Sequence, residues 1–381
     1  MNFYRIKRNG TCVAMTLSAI FLLFTGVYVF SYQQDTLALT QHVLSNGTTV
    51  YSPVVGGTVL FIVLAMLQFT MAQFMRRKPL CIYALSCFPS CYLLAMLGDF
   101  DPSRSLSPWG WWTILMPVVA VVWWTVYFLG EFLRYRIPDG KGIACMIRIY
   151  AMNLALMVAM MLFVGVMSDS NDVRHFRLRM ERLLMHGDYA GALGVGEKSE
   201  KSDARLTMLR AYALAREGRL GDDLFTYPIS GTSADMVPAV GDSRLEMLSP
   251  DSIYHLLGAI PRRGQSTADF LNTIVRSGQA TPAVTDYLLC GMLIDRRLDA
   301  FASLLLKTRK IDDSLPRHYR EALILYTHRR ANPIVVYRNT VMDTDYEDMQ
   351  QLEAQAKTPA ERRLKIHDQF SGTYWEYFDY E

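Results

Sequence analysis

Five apolar stretches fill residues 1–167: 11–30, 54–75, 80–97, 110–130 and 143–167. A helix needs about 20 apolar residues to cross the hydrocarbon core. Backbone polar groups cannot go unpaired in lipid, so each stretch predicts a membrane-spanning helix. From residue 168 the pattern changes to short, mixed segments with helical spacing and recurrent start signals. Ser249-Pro250, Thr281-Pro282 and Thr358-Pro359 each place a hydroxyl before a proline, which predicts an N-cap followed by proline in the first turn. Strand alternation is confined to one short candidate, 334–337. The pattern therefore predicts an all-α chain: a five-helix transmembrane bundle over 1–167, then a soluble helical domain over 168–381.

The charges between the stretches fix an orientation. Arg5, Lys7, Arg8, Arg76, Arg77, Lys78, Arg134, Arg136 and Lys141 flank one side, whereas Arg104 alone flanks the other. The positive-inside rule then puts the N-terminus in the cytoplasm, and an odd number of crossings delivers residue 168 onward to the opposite side. Trp109, Trp111 and Trp112 open the fourth stretch, and Trp123 and Trp124 follow about 18 Å further along a helix. Both groups then fall near an interface, where amphipathic rings prefer to lie. The first stretch exceeds the usual apolar core of a signal peptide, and no small-x-small site follows at Ser31-Tyr32-Gln33, so it is expected to stay as an anchor.

In the tail, two helix pairs share a layout. The first covers about 173–198 and turns at Gly187-Asp188-Tyr189; the second covers about 204–225 and turns at Gly218-Arg219-Leu220. Ala192, Ala211 and Ala215 are small where paired helices must approach. The two turns are 31 residues apart, close to the period of helix-turn-helix solenoids. The run Leu209-Arg210-Ala211-Tyr212-Ala213-Leu214-Ala215-Arg216-Glu217-Gly218-Arg219-Leu220 resembles the first half of a tetratricopeptide repeat. The aromatic, leucine and glycine set of that repeat's first helix is missing, and no proline closes the unit after Glu197. An ordinary helical hairpin bundle is the alternative. Residues 226–248 are turn-rich. Further helices are expected at about 250–258, 267–277, 282–294, 298–308, 316–329, 344–357 and 359–369. The pair 282–294 and 298–308, hinged at Asp295-Arg296-Arg297, is a candidate third repeat. The aromatic C-terminus (Phe370, Tyr374, Trp375, Tyr377, Phe378, Tyr380) is expected to dock on the domain.

The net charge of +3 is uneven. Residues 1–167 carry 11 basic and 5 acidic side chains, and 168–381 carry 28 basic and 31 acidic. The tail thus lacks the basic footprint of nucleic-acid binding. Cys12, Cys81, Cys87, Cys91 and Cys145 lie in the spans and Cys290 alone in the tail, so no disulfide within the tail is possible.

Few residues suggest chemistry. Asp99 and Asp101 sit where the third stretch ends on the outer side, where membrane enzymes using lipid-linked substrates place a base or a cation ligand. The plainer reading is a polar stop at the interface. His42 is a lone histidine in the first outer loop. His175, His186, His255, His318, His328 and His367 show no metal-site spacing. Asp343, Asp345, Glu347 and Asp348 lack the glycine of a calcium loop and suit a helix start. Arg148, near the inner end of the fifth stretch, can snorkel. Asn153, Gln68, Gln73, Ser86 and Ser90 can hydrogen-bond between spans, and Pro89 and Pro117 are expected to kink theirs. No nucleophile elbow, phosphate loop or dinucleotide fingerprint is present. No metal or cofactor is expected.

Gln41-His42-Val43-Leu44-Ser45, Phe88-Pro89-Ser90, Leu315-Pro316-Arg317-His318-Tyr319-Arg320-Glu321-Ala322-Leu323 and the tyrosine-rich end resemble a family of multi-span inner-membrane proteins of Bacteroidota without an assigned activity. The resemblance implies a Gram-negative inner membrane and a periplasmic tail. The expectation is therefore a bilayer-anchored binding or scaffold protein with a periplasmic protein or peptide partner. The alternatives are a glycosyltransferase-like membrane enzyme using Asp99 and Asp101, and an accessory subunit of a transport complex.

Overall fold

The computed structural model describes residues 2–75, 80–104, 107–136, 143–241, 245–278 and 280–380. The basic turn Arg76-Arg77-Lys78 and Lys141 lie outside the described residues, as do the side chains of Arg5, Lys7, Arg8, Arg134 and Arg136. Helix is the main regular structure of the described residues, which contain no strand. The chain divides into two compact units, Met1–Asn171 and Asp172–Glu381.

The first unit holds α1 (Asn2–Val27), α2 (Gln34–Leu44), α3 (Pro53–Met75), α4 (Phe88–Gly98), α5 (Trp112–Arg136) and α6 (Ile143–Met167). Among the described residues, three helices are long and apolar enough to cross a membrane: Thr11–Tyr32, Pro53–Met75 and Ile143–Met167. The runs Ile82–Gly98 and Trp112–Thr125 are apolar but shorter. Val13, Leu17, Phe21, Leu64, Cys91, Leu94, Met157 and Val164 close an apolar core among α1, α3, α4 and α6. Along α5, by contrast, Met116, Val118, Val121, Val122 and Phe128 are exposed.

The third apolar stretch is not one helix. Leu80–Cys87 is a tighter 3-10 segment with a non-helical residue at Ile82, and α4 restarts at Phe88 with Pro89 in its first turn. Proline has no N–H to donate, so the first turn is where a helix tolerates it. The irregular backbone is satisfied from α6. The fully buried Asn153 accepts from the Ala84 amide at 2.8 Å and donates to the Ile149 carbonyl at 2.8 Å. Ser90 Oγ donates to the Leu64 carbonyl at 3.0 Å, and Gln68 Nε2 donates to Ser18 Oγ at 3.0 Å. Pro117, in contrast, lies inside the continuous α5. Arg148 is exposed on α6.

The second unit holds α7 (Asp172–Met185), α8 (Tyr189–Leu193), α9 (Ala204–Glu217), α10 (Leu220–Asp223), α11 (Asp251–Leu257), α12 (Thr267–Arg276), α13 (Pro282–Ile294), α14 (Leu298–Thr308), α15 (Arg317–Arg329), α16 (Thr340–Gln355), α17 (Pro359–Phe370) and α18 (Tyr374–Tyr380). Three hairpins turn through left-handed residues: Gly187 (φ 74°) between α7 and α8, Gly218 (φ 71°) between α9 and α10, and Arg296 (φ 56°) between α13 and α14. Glycine reaches that region without Cβ strain. At Arg296 the side chain compensates by donating to the Tyr377 carbonyl at 3.0 Å.

Of the three hydroxyl-proline signals, Thr358 alone caps as expected; α11 starts at Asp251 with Pro250 itself at the N-cap position and Ser249 outside it. Thr358 Oγ1 accepts from the Glu361 amide at 3.1 Å, and Asn339 Oδ1 accepts from Met342 at 3.2 Å while Asp343 reaches back to the Asn339 amide at 3.0 Å. Thr281 holds the N-cap position but makes no cap bond; its hydroxyl donates to the Leu256 carbonyl at 3.4 Å instead. The strand candidate 334–337 forms no strand: the chain bends at Ile334 and Val335. The aromatic C-terminus docks as α18, with Tyr374 and Trp375 buried against Phe225 and Tyr346.

Candidate functional site

The two aspartates expected at the end of α4 are brought together by their own loop. Asp99 caps α4 and receives a fork from Arg104: Nη2 to Oδ1 at 2.6 Å and Nη1 to Oδ2 at 2.9 Å. Trp112 Nε1, from the first turn of α5, donates to Asp99 Oδ2 at 2.8 Å. Asp101 Oδ1 accepts from the amide of Ser103 at 2.9 Å and from its hydroxyl at 2.6 Å. Gly110 packs on the arginine: a Cβ there would lie 3.1 Å from Arg104 Nη1. The Asp99 carboxylate thus ties the end of α4 to the start of α5, and its oxygens face donors. A general base or a cation ligand needs open lone pairs instead. His42 lies half-buried in the last turn of α2 beneath Gly47, whose Cβ would sit 3.3 Å from the ring. No hydrogen bond or ion pair joins it to Asp99 or Asp101 among the described residues. Nor do the described residues contain a group of three or more side chains able to hold a metal ion.

A polar layer that sequence reading missed lies in the same unit. The apolar helix α1 ends in a π-helical turn, Tyr28–Tyr32, a distortion frequent at functional positions. Tyr28 OH donates to Ser168 Oγ at 2.5 Å, and Gln33 Nε2 donates to Tyr28 OH at 3.3 Å. Gly98 makes room for the pair, since a Cβ there would stand 2.5 Å from Ser168 Oγ. Asp35, Thr36 and Thr40 of α2 are also buried here. The loop 31–53 therefore folds back as a packed helix, whereas its charge pattern predicts only a connection.

In the second unit the buried ionisable groups bind backbone or neighbouring side chains. Glu181 of α7 accepts from three successive amides: Glu246 at 3.0 Å, Met247 at 2.6 Å and Leu248 at 2.9 Å. Burial pushes its carboxyl up to about 7 against the pull of those bonds. Arg210 of α9 reaches the carbonyls of Gly196 at 3.4 Å and Pro228 at 3.3 Å and stacks on Tyr227. Glu321 accepts from Arg317 Nε at 2.7 Å and from the Tyr374 amide at 2.7 Å, and pairs with His318 Nδ1 at 2.9 Å. The Phe225 amide donates to His318 Nε2 at 3.3 Å, which leaves the ring proton on Nδ1 facing Glu321. Asp286 accepts from Arg309 at 2.6 Å and from Tyr319 OH at 3.0 Å. Cys290 lies buried beside Tyr319, and burial raises its thiol pKa far above the usual value, which disfavours the thiolate.

These groups fasten the irregular 194–203 and 226–248 segments and α18 to the helices. Among the described residues they lie apart rather than together. Neither the curated proteins nor the solved structures contain a match to the chain. Residues 262–381, which span α12 to α18 and the His318–Glu321 pair, match a family of unknown function, DUF6057.

Proposed function

We propose that the chain is a membrane-anchored scaffold of the cell envelope. Five spans hold it in the inner membrane, and a periplasmic domain of tetratricopeptide-like hairpins binds a protein or peptide. Stacked helix pairs build extended surfaces of the kind such domains use for binding. The observation that carries this reading is the use made of the ionisable side chains. Asp99 is held by Arg104 and Trp112, Glu181 and Arg210 are spent on backbone groups of their own unit, and Glu321 is spent on Arg317, His318 and the Tyr374 amide. A polytopic enzyme needs at least one such group presented to substrate.

The experiment is complementation of a deletion strain. A chain with Asp99→Ala and Asp101→Ala, present in the membrane at the normal level, is expected to restore the lost phenotype. A chain ending at residue 171 is expected to fail. Restoration by the truncated chain together with failure of the double variant would sink the scaffold reading and favour the enzyme.

A further inference from the structure

His367, in the last turn of α17, is reached by carboxylates from two other elements. Its Nδ1 lies 2.6 Å from Glu376 Oε1 of α18, and its Nε2 lies 3.9 Å from Glu200 Oε1 of the 194–203 segment. Glu376 is buried, and its second oxygen accepts from the Gly372 amide at 3.2 Å, across the turn between α17 and α18. Glu200 is exposed, but its flanks are held. The Ser199 amide donates to the Gly196 carbonyl at 3.0 Å, and Lys201 Nζ pairs with Asp172 at 2.6 Å. Asp368 is a further charged neighbour on His367's own helix. α16 also packs on α17, and its Glu353 accepts from Tyr380 OH. The Glu376 hydrogen bond comes first in raising the imidazole pKa above its ordinary value, against some desolvation. The charges of Glu376, Glu200 and Asp368 add to it. The dipole of α17 also favours a cation in its last turn.

We propose that His367 is a proton-operated clasp, which in its cationic form ties α17 and α18 to the 194–203 segment. The clasp goes beyond the scaffold reading and needs no partner. As an imidazolium the ring donates from both nitrogens, so Nδ1–H serves Glu376 and Nε2–H faces Glu200. On loss of one proton, the short bond to the buried Glu376 keeps the remaining hydrogen on Nδ1. Nε2 then turns a lone pair toward the Glu200 carboxylate, and attraction becomes repulsion. The Glu376 bond also loses its charge assistance, about half the strength of such a bond. The imidazole pKa is raised in the folded chain. The tie is therefore fully present below the unfolded imidazole value and is lost as pH rises through the folded one. The joined elements are far apart in sequence: 194–203 leads from the first hairpin of the unit to α9, and α17 and α18 are its last two helices. A rise in pH loosens this closure while the core around Tyr374 and Trp375 stays buried.

The test is hydrogen exchange, read by mass spectrometry on the full-length protein in detergent micelles. Protection is compared at about pH 6 and about pH 9, on either side of the imidazole titration, and is taken relative to the intrinsic rate at each pH. In the wild type, protection of segments 194–203 and 371–380 is expected to fall about fivefold between the two, the weight of a half-exposed, charge-assisted bond. His367→Gln keeps a donor toward Glu376 and is expected to show the weaker protection at both. Glu200→Gln is expected to remove the fall in 194–203 and keep it in 371–380. Glu181 titrates in all three proteins, so its contribution cancels in the comparison. Both substituted side chains are substantially exposed, and equal protection of α13 in the three proteins checks that the fold is kept. Ring-labelled histidine gives a second reading by NMR. The resonance missing from His367→Gln should titrate with a midpoint above the ordinary imidazole value, and Glu200→Gln should lower that midpoint. Equal protection at both pH values in the wild type overturns the clasp. So does a fall of undiminished size in His367→Gln, a fall in 194–203 that survives Glu200→Gln, or a His367 midpoint at or below the ordinary value.

Discussion

Glu321→Ala tests how the C-terminal helix is held. The carboxylate is 2% exposed and serves Arg317, His318 and the Tyr374 amide. Arg317 is largely solvated and loses little. His318 Nδ1–H and the Tyr374 N–H would be left buried without acceptors, and each such orphan costs about 1–3 kcal/mol. Removing one partner of a buried pair generally costs about 3–5 kcal/mol, so a loss of about 3–5 kcal/mol is expected. A domain of this size has about 5–15 kcal/mol in total. Glu321→Gln keeps an acceptor oxygen and should lose less. The assay is urea denaturation of residues 172–381, a unit with its own core, where Trp375 is the only tryptophan. Acid adds a second readout. Burial alone would raise the Glu321 pKa, but the His318 hydrogen bond and its neighbours outweigh that and hold it below the usual value. The stabilisation is then present above the ordinary carboxylate range and lost as pH falls through the folded value. The Gln variant should lack that acid-labile component. A midpoint shift worth under about 1 kcal/mol for the alanine variant would refute the reasoning.

Glu181 has the opposite sign: its folded pKa, pushed up to about 7, exceeds the unfolded value. Tail stability should fall as pH rises through the window up to about 7, and Glu181→Gln should flatten that slope in denaturation at several pH values. Asn153→Leu leaves the Ala84 amide unsatisfied and should lower the stability of the detergent-solubilised chain by about 1–2 kcal/mol in SDS titration; a variant as stable as wild type would contradict that role. Lys198→Cys, on an exposed loop, should react with a membrane-impermeant maleimide in intact spheroplasts. Labelling only after lysis would contradict an odd number of crossings.

The tail's helices were legible because their punctuation is strong. Pro282 and Pro359 in first turns, and Gly187 and Gly218 at hairpins, leave little choice of boundary. The docking of α18 followed from six aromatic residues too large to leave in water. Two elements were not legible, for the same physical reason. Nothing in Gln34–Leu44 repeats strongly, because α2 is buried through polar residues such as Asp35, Thr36 and Thr40. The break at Ile82 is hidden within an apolar run, because its cost is met by Asn153, which accepts from the Ala84 amide 69 residues earlier in the chain. The aspartates show the corresponding limit at the candidate site. Spacing placed Asp99 and Asp101 at a helix end, but the acceptor sites taken by Arg104 and Trp112 depend on how the loop closes. The Glu181 nest is likewise invisible in sequence, since three consecutive backbone amides leave no side-chain signature.

The central claim is that the tail presents a surface to a protein partner. Site-specific photo-crosslinking in intact cells tests it most directly, with the crosslinker placed at exposed tail positions such as Ile260, Val336, Val341 and Leu364. The account predicts a discrete crosslinked protein from a contiguous subset of these positions. Crosslinks to lipid alone, or to no protein at any position, would contradict it.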